Sequence, residues 1–166
     1  MEPINSAPEF IVFLDFDGVL HPLEARDHER FKPDAIRSVN SILDELGANI
    51  VLSTAWRIDF GIEKFNPWFK GRILGATPIQ ELNLKLENPR FHEVMAFLRH
   101  REWLNVPWIA IDDKRGHFPV WSPAYITDPK TGITARDVEY IIQIGKSMKF
   151  AQKSLSDHIN RSGYGQ

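Results

Sequence analysis

The chain has 166 residues, enough for one domain with a sizeable buried core. It contains no cysteine, which excludes a disulfide scaffold, a zinc ribbon and a cysteine nucleophile. Its 20 basic and 22 acidic side chains give a net charge of −2, so no overall positive field holds nucleic acid non-specifically, although a local patch would serve for one nucleic-acid end.

No apolar run approaches the ~20 residues of a membrane helix. The first residues, Met1-Glu2-Pro3-Ile4-Asn5-Ser6, lack the basic start of a signal peptide, so a cytoplasmic location is expected. The patterning divides the chain into an extension over 1–9, a domain over 10–150 and a polar, loose tail over 151–166.

Phe10-Ile11-Val12-Phe13-Leu14 is an unbroken apolar run, as in a strand buried on both faces. Ile36, Val39, Ile42, Leu43 and Leu46 recur at helical spacing, with Pro33 suited to the first turn and Gly47 to the end. Ile50-Val51-Leu52 reads as a second strand. The aromatic-rich stretch from Ile58 to Phe69 fits helix or loop, and Arg72 to Gly75 fits a third strand. Arg90 to Trp103 predicts a helix with Phe91, Val94, Phe97 and Leu98 inward. Trp108 to Ile111 predicts a fourth strand and Ala124 to Thr127 a fifth, closed by the turn Asp128-Pro129-Lys130-Thr131-Gly132. Thr134 and Asp137 form a capping box for a last helix, with Ile133 and Val138 as its hydrophobic staple. Alternating strands and helices predict an α/β sandwich with a mostly parallel sheet. In such sheets ligands sit beyond the carboxyl ends of the strands.

Those strand ends carry Asp15-Phe16-Asp17-Gly18, Ser53-Thr54 and Asp112-Asp113. Four carboxylates on one rim would repel by roughly 4 kcal/mol per pair at 4 Å and an effective dielectric of 20. Protonation or a hard divalent cation relieves this, and an all-oxygen donor set selects Mg²⁺. Residues i and i+2 of a strand share a face, so Asp15 and Asp17 are expected to approach one phosphorus together.

Asp15-Phe16-Asp17-Gly18-Val19 resembles the first motif of the haloacid dehalogenase superfamily, Val51-Leu52-Ser53 the second, and Ile109-Ala110-Ile111-Asp112-Asp113 the acidic fourth. With Leu20-His21-Pro22, Ser53-Thr54-Ala55-Trp56-Arg57 and Thr127 to Gly132, the chain is most similar to the haloacid-dehalogenase-type domain of Swiss Army Knife RNA repair proteins and its stand-alone relatives. The acidic fourth strand also resembles that of the phosphatase half of polynucleotide kinase-phosphatases. The resemblance runs from about Phe10 to Gly145. It implies a three-layer Rossmann-like fold and a Mg²⁺-dependent phosphatase working through an aspartyl-phosphate. Asp15 would be the nucleophile, Asp17 the general acid and base, and Ser53 a phosphoryl-binding group. Asp15, the Asp17 main-chain carbonyl, Asp112 and Asp113 would hold the metal. Gly18, Thr54, Arg57 and Lys85 would line the substrate.

The third motif departs from the family pattern. Its expected cation falls near Glu93, which has the wrong charge; Arg90 is the first substitute, with Lys85 and Arg57 behind it. No interval is long enough for a separate cap domain. The open site this predicts favours a macromolecular substrate such as an RNA or DNA end, with a phosphoprotein or a small phosphoester as alternatives. A catalytically weak binding or regulatory module of the same fold is the competing reading, motivated by the unassigned cation. The five tryptophans read as packing residues, Trp121 being the candidate for stacking on a base.

Overall fold

The structure, a computed structural model, describes residues 6–79 and 86–162. Five parallel strands form one sheet: β1 (Phe10–Leu14), β2 (Ala48–Leu52), β3 (Ile73–Ala76), β4 (Trp108–Asp112) and β5 (Ala124–Ile126), in the order β3-β2-β1-β4-β5. The helices are α1 (Pro33–Leu46), α2 (Trp56–Asp59), α3 (Pro89–His100) and α4 (Ala135–Ser162). Among the described residues no helix is long and apolar enough to cross a membrane.

Strand alternation divides the interior into two cores. Phe10, Val12 and Leu14 of β1 pack with Ile50, Leu52 and the Val39-Ile42-Leu43-Leu46 stripe of α1, joined by Ile141 of α4. Ile11 and Phe13 face the other way, onto Val94, Phe97 and Leu98 of α3, with Trp103 and Trp108. Phe13 meets Phe97 and Trp108 edge-on, at centroid separations of 6.0 and 5.5 Å. Every residue of β1 is buried, as an apolar run without alternation requires. The crossovers on either side of β1 therefore leave on opposite faces. That divergence opens a crevice at the carboxyl ends of β1 and β4.

The helix boundaries have local causes. Pro33 opens α1, and Gly47 closes it at φ +61°, its N–H bonded to the Leu43 carbonyl. Thr134 and Asp137 form the expected capping box: Asp137 Oδ2 accepts from the Thr134 N–H at 2.7 Å, and Thr134 Oγ accepts from the Asp137 N–H at 3.3 Å. The predicted helix over 90–103 stops at His100. Glu102 takes a left-handed φ of 59°, and the Trp103 N–H returns to the Leu98 carbonyl, turning the indole into the core.

Three expectations are corrected. Residues 151–162, read as a loose tail, continue α4 as an exposed helical extension, since no Gly or Pro interrupts them. The Ile58–Phe69 stretch is neither one helix nor a loop: after α2 come two short 3₁₀ turns, Ile62–Lys64 and Asn66–Phe69, and Phe65 between them and Trp68 in the second pack toward Phe16 and Phe31. Asp15 and Asp17 are not brought together by strand alternation, because β1 ends at Leu14 and the chain turns after Asp15, with the Val19 and Leu20 N–H groups both on the Phe16 carbonyl.

Candidate active site

Parallel pairing continues one residue past the strand ends and lines up a polar rim. Leu14 pairs with Leu52 on one side and Ile111 on the other, which sets Asp15 between Ser53 and Asp112. The ladder carries on through Ser53 N–H to Leu14 O (2.9 Å), Asp15 N–H to Ile111 O (3.0 Å), Thr77 N–H to Leu52 O (2.9 Å) and Thr127 N–H to Asp112 O (2.9 Å). Backbone hydrogen bonding thus sets the spacing of the rim side chains.

Asp15 is buried and accepts the Phe16 N–H at 2.7 Å, with the Thr54 hydroxyl as a further donor. Burial, then the neighbouring Asp112 charge, push its carboxyl up to about 7, against the opposing pull of Arg90. Asp112 is buried too, and accepts the Lys114 N–H at 2.8 Å and His117 Nδ1 at 3.1 Å. Burial followed by the Asp112 charge also raises Asp113, whose Oδ2 is buried without a hydrogen-bond partner among the described residues.

Oxygens of Asp15, Asp112 and Asp113 all lie within 4.8 Å of one another. Three buried carboxylates, one oxygen orphaned and two groups pushed toward protonation, form the donor set that a hard divalent cation takes. The Asp17 carboxylate is outside this cluster, so the rim carries three side-chain carboxylates where the sequence predicted four. The approach of the two acidic motifs depends on Gly18. At φ +73°, a Cβ on this residue would lie 2.5 Å from Asp113 Cβ and Oδ2. The Gly18 carbonyl accepts the Thr127 hydroxyl at 2.8 Å, tying the first motif to the end of β5.

Ser53 is buried and its Oγ has no hydrogen-bond partner among the described residues, an uncommon state that marks it as a donor awaiting an acceptor. Beside it lies a charged network that sequence reading missed. Glu93 Oε2, buried, bridges Arg57 Nη2 at 2.9 Å and Arg90 Nη1 at 3.0 Å. Arg57 also donates from Nε to the Thr77 carbonyl at 3.0 Å and from Nη1 to the Thr54 carbonyl. All three guanidinium nitrogens of Arg57 are therefore engaged, and they brace the ends of β2 and β3. Burial, then the Arg90 charge, lower the Arg57 pKa. The network carries two positive charges and one negative, and Asp15 feels both arginines. Glu93, the wrong charge for a third-motif cation, bonds directly to two of the three candidate cations. Lys85, the remaining one, lies outside the described residues.

Asp17 has its own partners. Its Oδ1 is 3.0 Å from His21 Nε2 and its Oδ2 accepts the Trp56 indole N–H at 3.1 Å. His21 is buried, and its Nδ1 accepts the Phe31 N–H at 3.3 Å, which assigns the proton of the neutral ring to Nε2, facing Asp17. The His21 hydrogen bond leads the effects that lower the Asp17 carboxyl, burial opposes it, and the Trp56 hydrogen bond adds to the lowering. The predictive signal for His21 was its place four residues after Asp17. Trp56 had none, because its contact with Asp17 spans 39 positions. Trp121, the candidate stacking residue, is exposed and meets Phe91 edge-on at 5.2 Å.

Comparison with known protein families gives a match described as "HAD domain in Swiss Army Knife RNA repair proteins", over residues 11–138. No curated protein and no solved structure matches the chain.

Two outcomes follow from the buried charges. Removing Glu93 leaves two guanidinium groups without their shared counter-charge, so Glu93→Ala should cost about 3 kcal/mol in urea unfolding, and a loss under 1 kcal/mol would contradict the network. The folded pKa of Asp15 stands above its unfolded 3.8, so its stabilising contribution is complete below pH 3.8 and declines as pH rises to about 7. The metal-free protein should accordingly melt lower at pH 8 than at pH 5, and added Mg²⁺ should raise the melting temperature more at pH 8. Equal Mg²⁺ effects at both pH values would count against ligation through Asp15.

Proposed function

The chain belongs to the family of haloacid dehalogenase (HAD) domains found in Swiss Army Knife RNA repair proteins, and on that premise we propose that it is a Mg²⁺-dependent phosphatase working through an aspartyl-phosphate on Asp15. The observation that carries this reading is the meeting of Asp15 with the orphaned Ser53 hydroxyl, the Asp112-Asp113 pair and the Arg90 charge at one strand rim.

In the first step an oxygen of Asp15 attacks phosphorus and the ester P–O bond breaks. Asp17, whose resting carboxylate accepts hydrogen bonds from His21 and Trp56, must first take a proton from solvent and then gives it to the departing oxygen. In the second, water attacks the phosphorus of the aspartyl-phosphate, Asp17 takes the water proton, and the bond to Asp15 breaks to release phosphate. Ser53 donates a hydrogen bond to the phosphoryl group. Arg90, oriented by Glu93, supplies the cation that the third motif lacks. Arg57 supports the loop ends, while Thr54 and Gly18 hold Asp15 and the motif turn in place. Bound by Asp15, Asp112 and Asp113, with the Asp17 main-chain carbonyl as a further donor, Mg²⁺ would offset charge on the nucleophile and the phosphoryl oxygens.

The substrate is a phosphorylated end of a nucleic-acid chain. Two observations support this. Between β1 and α1 the chain forms only a 3₁₀ turn, Asp27–Glu29, so nothing there encloses a small substrate. The family description refers to RNA repair.

The direct test is phosphate release from an aryl phosphate with and without Mg²⁺. Release should require the ion, and Asp15→Asn should reduce it to background; metal-independent release, or activity surviving that change, would refute the mechanism. The proton-transfer role has its own signature. Trp56→Phe removes one donor to the Asp17 carboxylate, so the Asp17 pKa should rise and its limb of the pH–rate profile should move to higher pH. An unmoved limb would remove Asp17 from the proton-transfer step.

A further inference from the structure

Beside Asp17, the residue proposed to protonate the leaving group, lies a cation that no step above uses. Arg30 is exposed, and its Cζ stands 5.7 Å from the centroid of the Trp56 ring, the same ring whose N–H bonds Asp17. Its charge is felt at Asp17. The Trp56 ring stacks on Phe60 at 5.7 Å with 20° between planes. The Asp17 side chain is 36% exposed, so a substrate can reach this corner from solvent.

Arg30 is held there by a strained neighbour. Phe31 adopts φ 55°, a conformation that costs an L-residue roughly 1–2 kcal/mol. In return its ring packs on Phe16, His21, Trp56 and Trp68, with centroids 4.9 to 5.7 Å away. Its N–H also fixes His21 Nδ1. The backbone is thereby pinned one residue after Arg30, and strain of this kind persists where the surroundings over-determine it. The only ion pair of Arg30 among the described residues is with Asp27 at 3.1 Å, whose side chain is 94% exposed. Such a surface pair contributes little and exchanges readily for a better anion.

We propose that Arg30 is a specificity-determining residue that binds a second negative charge on the leaving group, the phosphodiester one nucleotide beyond the terminal phosphate. A guanidinium set against stacked aromatic rings suits a sugar-phosphate chain, which presents an anion and flat bases together. An isolated phosphomonoester has no group to place there. The inference rests on the phosphatase reading and adds what the enzyme selects.

The test compares kcat/KM for an aryl phosphate, nucleoside monophosphates, 5′- and 3′-phosphorylated dinucleotides and an acidic phosphopeptide, in wild type, Arg30→Ala and Arg30→Lys. Wild type should prefer one phosphorylated dinucleotide to its mononucleotide. The ratio of dinucleotide to aryl phosphate kcat/KM should fall about tenfold in Arg30→Ala, the worth of one charge-assisted hydrogen bond, and recover in part in Arg30→Lys. Because Arg30 is exposed, both variants should fold, and unchanged thermal unfolding checks this. Equal loss on all substrates, no dinucleotide preference in wild type, or an Arg30-dependent preference for the phosphopeptide would each overturn the assignment. Mg²⁺-dependent aryl phosphate hydrolysis that survives in all three proteins would leave the phosphatase reading standing. A wild type inert on every substrate would defeat both.

Discussion

Buried negative charge at the end of the sheet is the constraint that organises this molecule. Oxygens of Asp15, Asp112 and Asp113 within 4.8 Å of one another repel by roughly 3 kcal/mol per pair at an effective dielectric of 20, and burial adds to the cost of ionising them. Without positive charge the cheapest response is to keep protons, which is the direction in which Asp15 and Asp113 are driven. The fold answers with Arg90 and Arg57, held by Glu93, and leaves an all-oxygen cradle for a divalent cation. The same crowding that burdens the metal-free protein is what would give the site affinity for an ion.

The sheet brings these groups together through its topology. Parallel strands present all their carboxyl ends on one edge, and the order β3-β2-β1-β4-β5 makes β1 and β4 neighbours across the point where the crossovers diverge. The parity that buries Ile11 and Phe13 against α3 continues to Asp15, toward the face that carries Arg90 and Glu93 at the start of α3. A one-residue slip of β1 would exchange its two apolar faces and turn Asp15 from its counter-charges, so packing of the cores and electrostatics of the rim enforce one register.

The two acidic residues of the first motif live in opposite environments. Asp15 is buried beside another carboxylate and raised; Asp17 is half exposed, doubly hydrogen-bonded and lowered. These directions are the reverse of an ionised nucleophile and a protonated acid, so the proposed roles require a bound cation to release the Asp15 proton and substrate to raise Asp17. The segment from His21 to Phe31 gives Asp17 this environment, because His21 reaches it directly and Phe31 fixes both His21 and Trp56. A stretch that carries a single 3₁₀ turn thus bears on the site as strongly as the strands do.

Much of this was legible in one dimension because it is local. Apolar runs marked β1 and β4, Pro33 and Gly47 bounded α1, and the DxDG and DD strand ends announced an acidic site, since burial periodicity, caps and short motifs are encoded by neighbours in the chain. The helical extension over 151–162 was missed because its polar composition hides ordinary helix propensity. Glu93 on Arg57, Trp56 on Asp17 and Gly18 against Asp113 had no local signature at all. Each joins residues tens of positions apart, and only the folded chain brings them within hydrogen-bonding or van der Waals reach. The chain order thus determined which groups stand at the strand ends. Tertiary packing decided which of them share charge, because electrostatic and hydrogen-bond energies depend on distance through space.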